Sequence, residues 1–314
     1  MESKRKKRGG IAAVTVGVAA LVASACGGGA ATNEPIDFGY VGWPEAIAKT
    51  NIAETVVQAL GYETTSTELQ VPTIFQGLET GDVDVFVEAW FPTMQPILDN
   101  TEPGSVKSVV VNMPEATYSL AVNKPACDAG VTSHEDLAEH EEEFRGEIYG
   151  IEPGNDGNII VQEMIDNDTY GLGGWELIES STSAMLAEVD SRSRNDEWIV
   201  FTGWEPHWMG QKYDMCLLED PEMMWGESSR VETLATASLE ENEELWQFFE
   251  QMTIDQDTQA TWIDMIDNSG MEPEEVALTW LRDNPETTRR WLEGVETVDG
   301  EDGFEALQEH LENQ

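Results

Sequence analysis

Three tryptophans stand apart from the other eight in this 314-residue chain. Trp43, Trp90 and Trp204 each follow a short apolar, strand-like run, and each has a proline within two residues: Pro44, Pro92 and Pro206. Proline fixes φ and stiffens the segment that carries the ring. In open α/β sheets, ligands bind beyond the carboxyl ends of strands. Three large aromatics placed there from separate segments predict a common cleft. Indole faces attract cations, at roughly 0.5–2 kcal/mol per desolvated contact. A quaternary ammonium suits such walls best, because it has no N–H to donate and spreads its charge over methyl groups. Sugar stacking and plain core packing are the competing readings. Trp246, Trp262, Trp280 and Trp291 sit at helical spacing among apolar residues and read as core; Trp175, Trp198 and Trp225 read as packing.

Other chemistry is sparse. Glu45, Glu152, Asp156 and Glu205 could supply a carboxylate pair for glycoside hydrolysis, which is the enzymatic alternative. There is no Gly-x-Ser-x-Gly, phosphate loop or zinc spacing. The four histidines, His134, His140, His207 and His310, form no metal-ligand pattern, and His207 is expected to be a structural hydrogen-bonder. The expectation is a binding protein with no cofactor and no metal. Cys127 and Cys216 are an even pair, which outside the cell usually means a disulfide.

Alternating strand-like and helix-like segments position these residues and predict α/β architecture. Strands are expected at 36–41, 83–87, 107–112, 118–122, 147–152 and 198–202. Helices are expected at 44–60, with Pro44 in the first turn and Ile47, Ile52, Val56 and Leu60 on one face, at 71–78, and at 184–192 behind caps in 180–183. Beyond residue 240 the pattern is almost wholly helical.

The chain holds 62 acidic against 16 basic residues, a net charge of −46. So acidic a surface lacks the basic footprint of a nucleic-acid binder. Acids spread along the whole chain suit a high-salt setting, where screening is short-ranged. Five of the basic residues, Lys4, Arg5, Lys6, Lys7 and Arg8, precede an apolar stretch at 11–22. Ala23-Ser24-Ala25-Cys26 follows, then three glycines. This resembles a bacterial lipobox. It implies a signal peptide over 1–25, lipidation of Cys26, a tether over 26–33 and anchorage on the outer face of a membrane.

Five segments, in order, resemble the glycine betaine/choline-binding proteins of ABC importers. They are Gly42-Trp43-Pro44-Glu45, the run Gly81 to Phe86, Ala89-Trp90-Phe91-Pro92-Thr93-Met94, the run Tyr149 to Asn158, and Gly203-Trp204-Glu205-Pro206-His207-Trp208. The likeness extends over about 35–298. It implies a two-lobed, type II periplasmic-binding fold with a hinge. Lobe one would be 34–117 plus 232–300, lobe two 118–231, and 301–314 a C-terminal tail. The implied partners are choline or glycine betaine, an ABC permease and its ATPase, with osmolyte uptake as the outcome; a sensor of the same fold is the alternative. The choline-binding branch looks nearest. Carried over by position, Trp43, Trp90, Tyr118 and Trp204 would form an aromatic box and Asn155 would bond the ligand's polar end. Glu45 stands where that branch has Asp. Gln95 lies where the betaine branch often has a carboxylate-holding His. Backbone N–H groups over 154–158 could form an anion nest for a carboxylate.

Overall fold

The structure is a computed structural model, and it describes residues 35–314. The basic run 4–8, the apolar stretch 11–22, the lipidation candidate Cys26 and the tether lie outside the described residues.

Among the described residues, nine strands form a mixed sheet: β1 (Ile36–Tyr40), β2 (Thr64–Glu68), β3 (Val85–Phe91), β4 (Val106–Val122), β5 (Glu147–Tyr149), β6 (Glu176–Ile178), β7 (Val200–Glu205), β8 (Cys216–Leu217) and β9 (Ser229–Thr236). Their order is β2-β1-β3-β9-β4-β7-β5-β6, with β8 paired to β4. The helices are α1 (Pro44–Ala59), α2 (Val71–Thr80), α3 (Gln95–Asp99), α4 (Lys124–Asp128), α5 (Glu141–Phe144), α6 (Asp156–Asp166) and α7 (Thr182–Arg194). They continue with α8 (Met209–Tyr213), α9 (Glu243–Gln251), α10 (Gln256–Asp267), α11 (Pro273–Asp283), α12 (Pro285–Trp291) and α13 (Gly303–Glu312).

The long strand β4 is the spine. Its first part, Val106 to Ala116, pairs antiparallel with β9; its second, Thr117 to Val122, pairs antiparallel with β7. Register shifts interrupt the β9 pairing at three places, and bulges of this kind bend and twist a strand. The two stretches expected as separate strands, 107–112 and 118–122, are therefore one element. The sheet falls into two halves about this spine. In the first, β1 runs parallel to β2 and β3; in the second, β5 runs parallel to β6 and β7.

Local sequence accounts for most boundaries. Pro44 opens α1, and Gly81 ends α2 in a left-handed conformation at φ 80°. Ser181 caps α7 by accepting from the Ala184 N–H at 3.2 Å. Three departures are informative. Strand β2, Thr-Thr-Ser-Thr-Glu, carries no apolar alternation and was not expected; it is a polar edge held by pairing with β1. Strand β3 runs on through Trp90, and β7 through Trp204, so these rings lie within strands and not beyond them. Residues 301–314, expected as a tail, contain α13, whose Phe304, Leu307 and Leu311 are buried.

Helix α1 is buried nearly all round. Ile52, Val56 and Leu60 are fully enclosed, whereas Ile47 is half-buried and the charged Glu45 and Lys49 are buried. Behind it, Phe38, Phe248, Phe249, Trp262, Trp280 and Trp291 form a core against the C-terminal helices. Trp262 meets Trp280 edge-on at 5.0 Å, and Trp280 stacks on Trp291 at 5.4 Å.

Cys127 of α4 and Cys216 of β8 are joined as a disulfide across 89 positions, with Cα atoms 5.8 Å apart. A cross-link of this span restricts the unfolded chain, typically by about 2–4 kcal/mol. Replacing both cysteines by alanine is expected to lower unfolding stability by about that amount, read from urea titration; an unchanged midpoint would show that the bond does not stabilise the fold.

Candidate functional site

Trp43, Glu45, Trp90, Tyr118, Ile151 and Trp204 line one cavity. All six are buried. Trp43 is the residue before α1, and Glu45 is in that helix's first turn. Trp90 comes from β3, Tyr118 from the spine β4, Trp204 from β7, and Ile151 from the loop after β5. Tyr118 pairs directly with Trp204 across β4 and β7. Its ring lies 5.7 Å from Trp90, 6.2 Å from Trp204 and 4.7 Å from Trp225. Trp225, read as packing, thus buttresses the tyrosine from outside the cavity.

Three of the four rings are held by a polar atom. Trp43 Nε1 donates to Glu152 Oε2 at 3.0 Å, and Trp90 Nε1 to Glu88 Oε1 at 3.0 Å. Tyr118 Oη donates to Asn155 Oδ1 at 2.8 Å. The indole N–H of Trp204 is buried without a protein partner. His207 packs against the Trp204 ring at 5.2 Å, and its Nδ1 accepts from the Met209 N–H at 3.1 Å. Burial pulls the His207 pKa down to about 3, so its ring is neutral near pH 7.

Asn155 and Gln95 do not line the cavity. Asn155 caps α6: its Oδ1 accepts from Gly157 N at 2.8 Å as well as from Tyr118, and its Nδ2 donates to Asp156 at 3.0 Å. The carboxamide is used to hold Tyr118 in place. Gly157 is required there, because a Cβ would fall 2.1 Å from Tyr118 Oη. The N–H groups of Asn155 and Gly157 are engaged with Glu152 O and Asn155 Oδ1, which removes two donors from the expected anion nest. The amide of Gln95 lies at the surface of α3 and donates to Asp99 at 2.8 Å. It faces away because the chain turns into α3 directly after Met94.

The electrostatics are strongly anionic. Glu45 is 1% exposed, and its Oε2 has no hydrogen-bond partner. The solvent-facing first-turn role open to a Glu at this position is therefore not the one it has. Burial, and then the nearby charge of Glu88, hold its carboxyl well above the usual carboxylate range; Lys49 offsets this only in part. Lys49 is paired to Glu88, both fully enclosed, and also donates to Asn112 Oδ1 at 3.3 Å. Asn112 is fixed in turn by bonds to the Val87 carbonyl and Thr233. Burial raises the Asp156 carboxyl to about 6. The Tyr118 hydroxyl is pushed up by burial, then by Asp156, Glu152 and Glu45. An apolar aromatic hole ringed by carboxyls suits a cation that makes no hydrogen bonds.

Lys49, Glu88 and Asn112 were not singled out from sequence. Two signals for them were present: a charge in the middle of the continuous run Val85-Phe86-Val87-Glu88-Ala89-Trp90, and a Glu45/Lys49 pair at helical i,i+4 spacing. A second constellation has the types of a hydrolase triad. Ser119 Oγ lies 3.2 Å from His134 Nε2, and His134 Nδ1 lies 3.4 Å from Asp220 Oδ1. Ser119 is buried and donates to the Leu218 carbonyl at 3.1 Å, so the set ties β4 to the segment after β8. Among the described residues, no group of three or more His, Cys, Asp and Glu could hold a metal ion.

Comparison with known proteins agrees with this geometry. The model of the substrate-binding domain of ABC-type glycine betaine transport systems matches residues 34–283. A choline-binding protein of an ABC transporter, solved with choline, is 36% identical and superposes with a TM-score of 0.86, covering 88% of this chain and 98% of its own. Lactococcal OpuAC, solved closed around glycine betaine, is 28% identical with a TM-score of 0.74, covering 82% of this chain and 99% of its own. The glycine betaine/carnitine transport binding protein GbuC of Listeria monocytogenes is 29% identical over 179 residues; the match spans 56% of this chain and 59%, under two thirds, of that protein. The mixed sheet, its periplasmic-binding-protein architecture and the family match converge: the chain belongs to the substrate-binding proteins of the glycine betaine/choline ABC transporter family.

Proposed function

We propose that this protein captures choline, or more weakly glycine betaine, outside the cell and delivers it to an ABC permease and its ATPase, from a lipid anchor on Cys26. The observation that carries the reading is the cavity itself. Four aromatic rings, Trp43, Trp90, Tyr118 and Trp204, surround a hole with a buried carboxyl, Glu45, in its wall. The rings attract a trimethylammonium by their faces, more strongly once water is expelled. Glu45 offers charge compensation that choline needs and a zwitterion does not. The rings come from both halves of the sheet, so closure of the halves about β4 would assemble the box around the solute.

Calorimetric titration of the mature protein is expected to show micromolar-range binding of choline, with glycine betaine weaker. Trp204→Ala should weaken choline by at least about tenfold, the loss of one desolvated cation–π wall and its packing. No heat with either solute at any salt concentration would end this reading.

The protonation of Glu45 gives the affinity a pH dependence of definite sign. Burial, Glu88 from β3 and Asp267 at the end of α10 favour the protonated form, and a backbone hydrogen bond and Lys49 oppose them. A bound cation lowers that raised pKa, so binding releases a proton. Choline affinity is therefore expected to fall as pH drops through the raised Glu45 range and to level off above it. Titration in two buffers of different ionisation enthalpy measures the proton released. Glu45→Gln should abolish the release and narrow the gap between choline and glycine betaine; an unchanged proton count in that variant would remove Glu45 from the account. For the anchor, Cys26→Ser should shift the protein from the membrane to the soluble fraction after cell breakage.

A further inference from the structure

Of the indole N–H groups at the cavity, one crosses from the first half of the sheet to the second. Trp90 bonds to Glu88 within its own strand, and Trp204 has no protein partner. Trp43, at the start of α1, reaches Glu152 in the loop between β5 and α6. The carboxylate of Glu152 is itself clamped from its own half: Oε1 accepts from the Thr182 N–H at 2.7 Å and Oε2 from Thr182 Oγ1 at 2.9 Å. Thr182 opens the thirteen-residue helix α7, whose N-terminus favours a negative group. Three donors converge on two carboxylate oxygens. An amide has one acceptor oxygen and would set its own N–H groups against one of these donors. Trp43 is only 4% exposed, so water competes poorly for its N–H. A second bond of the same kind, Trp208 Nε1 to Asp267, joins the halves at a more exposed place.

We propose that Glu152 is a closure clasp. It is a positioning residue that touches no solute. It fixes the Trp43 wall from across the cleft, and so holds the halves together once a solute is inside. The inference rests on the solute-binding reading above. A clasp formed only in the closed state slows escape and leaves capture almost unchanged, so its loss belongs in the dissociation rate.

The test is a double-mutant cycle on the mature protein, with choline as the probe and stopped-flow tryptophan fluorescence giving both rate constants. Glu152→Gln breaks the clasp from one side. Trp43→Phe breaks it from the other while keeping an aromatic face. Glu152→Gln is expected to raise the dissociation rate about tenfold, the size of one charge-assisted hydrogen bond, with the association rate within about twofold of the parent. In the Trp43→Phe background the same change should have little further effect. Glu152→Asp keeps the acceptor oxygens but shortens the reach, and repeats the cycle should the glutamine variant fold poorly. Independent, multiplying effects of the two substitutions, or a loss confined to the association rate, would overturn the clasp while leaving choline binding intact. Absence of binding by the unaltered protein would overturn the functional reading, and the clasp with it.

Discussion

Glu45 and Glu88 stand in the dry interior with one ammonium, Lys49, to serve both. Taking a carboxylate out of water costs several kcal/mol even after relaxation, and a single lysine compensates one of them. Glu88 takes Lys49 and the indole N–H of Trp90. Glu45 keeps an oxygen without a partner, in the wall of a hole lined otherwise by rings and an isoleucine. The site is thus short of one positive charge. Its walls attract positive charge but offer almost no hydrogen bonds. Most of what is specific about the pocket follows from this imbalance. A solute with a fixed, diffuse charge restores neutrality, whereas an empty pocket is relieved by keeping a proton on Glu45.

That imbalance needs a scaffold able to bring carboxyls and aromatics from distant segments to one place. The spine β4 does most of this. It changes partner from β9 to β7 at Ala116 and Thr117, next to Tyr118, so one strand touches both halves at the level of the cavity. The segment from Glu152 to Asn158, running into α6, then serves as a fixing plate. Asn155 holds the tyrosine hydroxyl and Glu152 holds the Trp43 indole. Asn158 ties the loop to itself through Ile151 and Glu152. Asn155, expected at the ligand's polar end, bonds in this structure to a residue that lines the hole.

The wider charge pattern acts on the same site at longer range. Two of the few cations are committed internally: Lys49 to Glu88, and Arg192 to Glu147 and Glu188. The surface is left overwhelmingly acidic. Such a field favours the approach of small cations and repels polyanions, and its reach shrinks from about 10 Å to about 3 Å as salt rises from 0.1 M to 1 M.

Read alone, the sequence determined the α/β class, the helix starts at Pro44 and Val71, the cap before α7 and the helical stretch beyond residue 240. These depend on local chemistry: proline at the first turn, glycine at a left-handed end, a serine cap. It also marked Trp43, Trp90 and Trp204, because large rings beside prolines are conspicuous, and its motifs gave the family. Only the tertiary structure decided which polar residues meet those rings. Asn155 and Gln95 have suitable side chains at suggestive positions, yet in the fold the one bonds to Tyr118 and the other to Asp99. Lys49, Glu88 and Asn112 come from α1, β3 and β4, and their meeting depends on pairings between segments 25 or more positions apart. Strand β2 exists for the same reason: its residues have no periodicity of their own, and β1 supplies the partner. Local propensity is written in neighbouring residues, whereas burial and charge pairing are set by which distant segments the fold brings into contact.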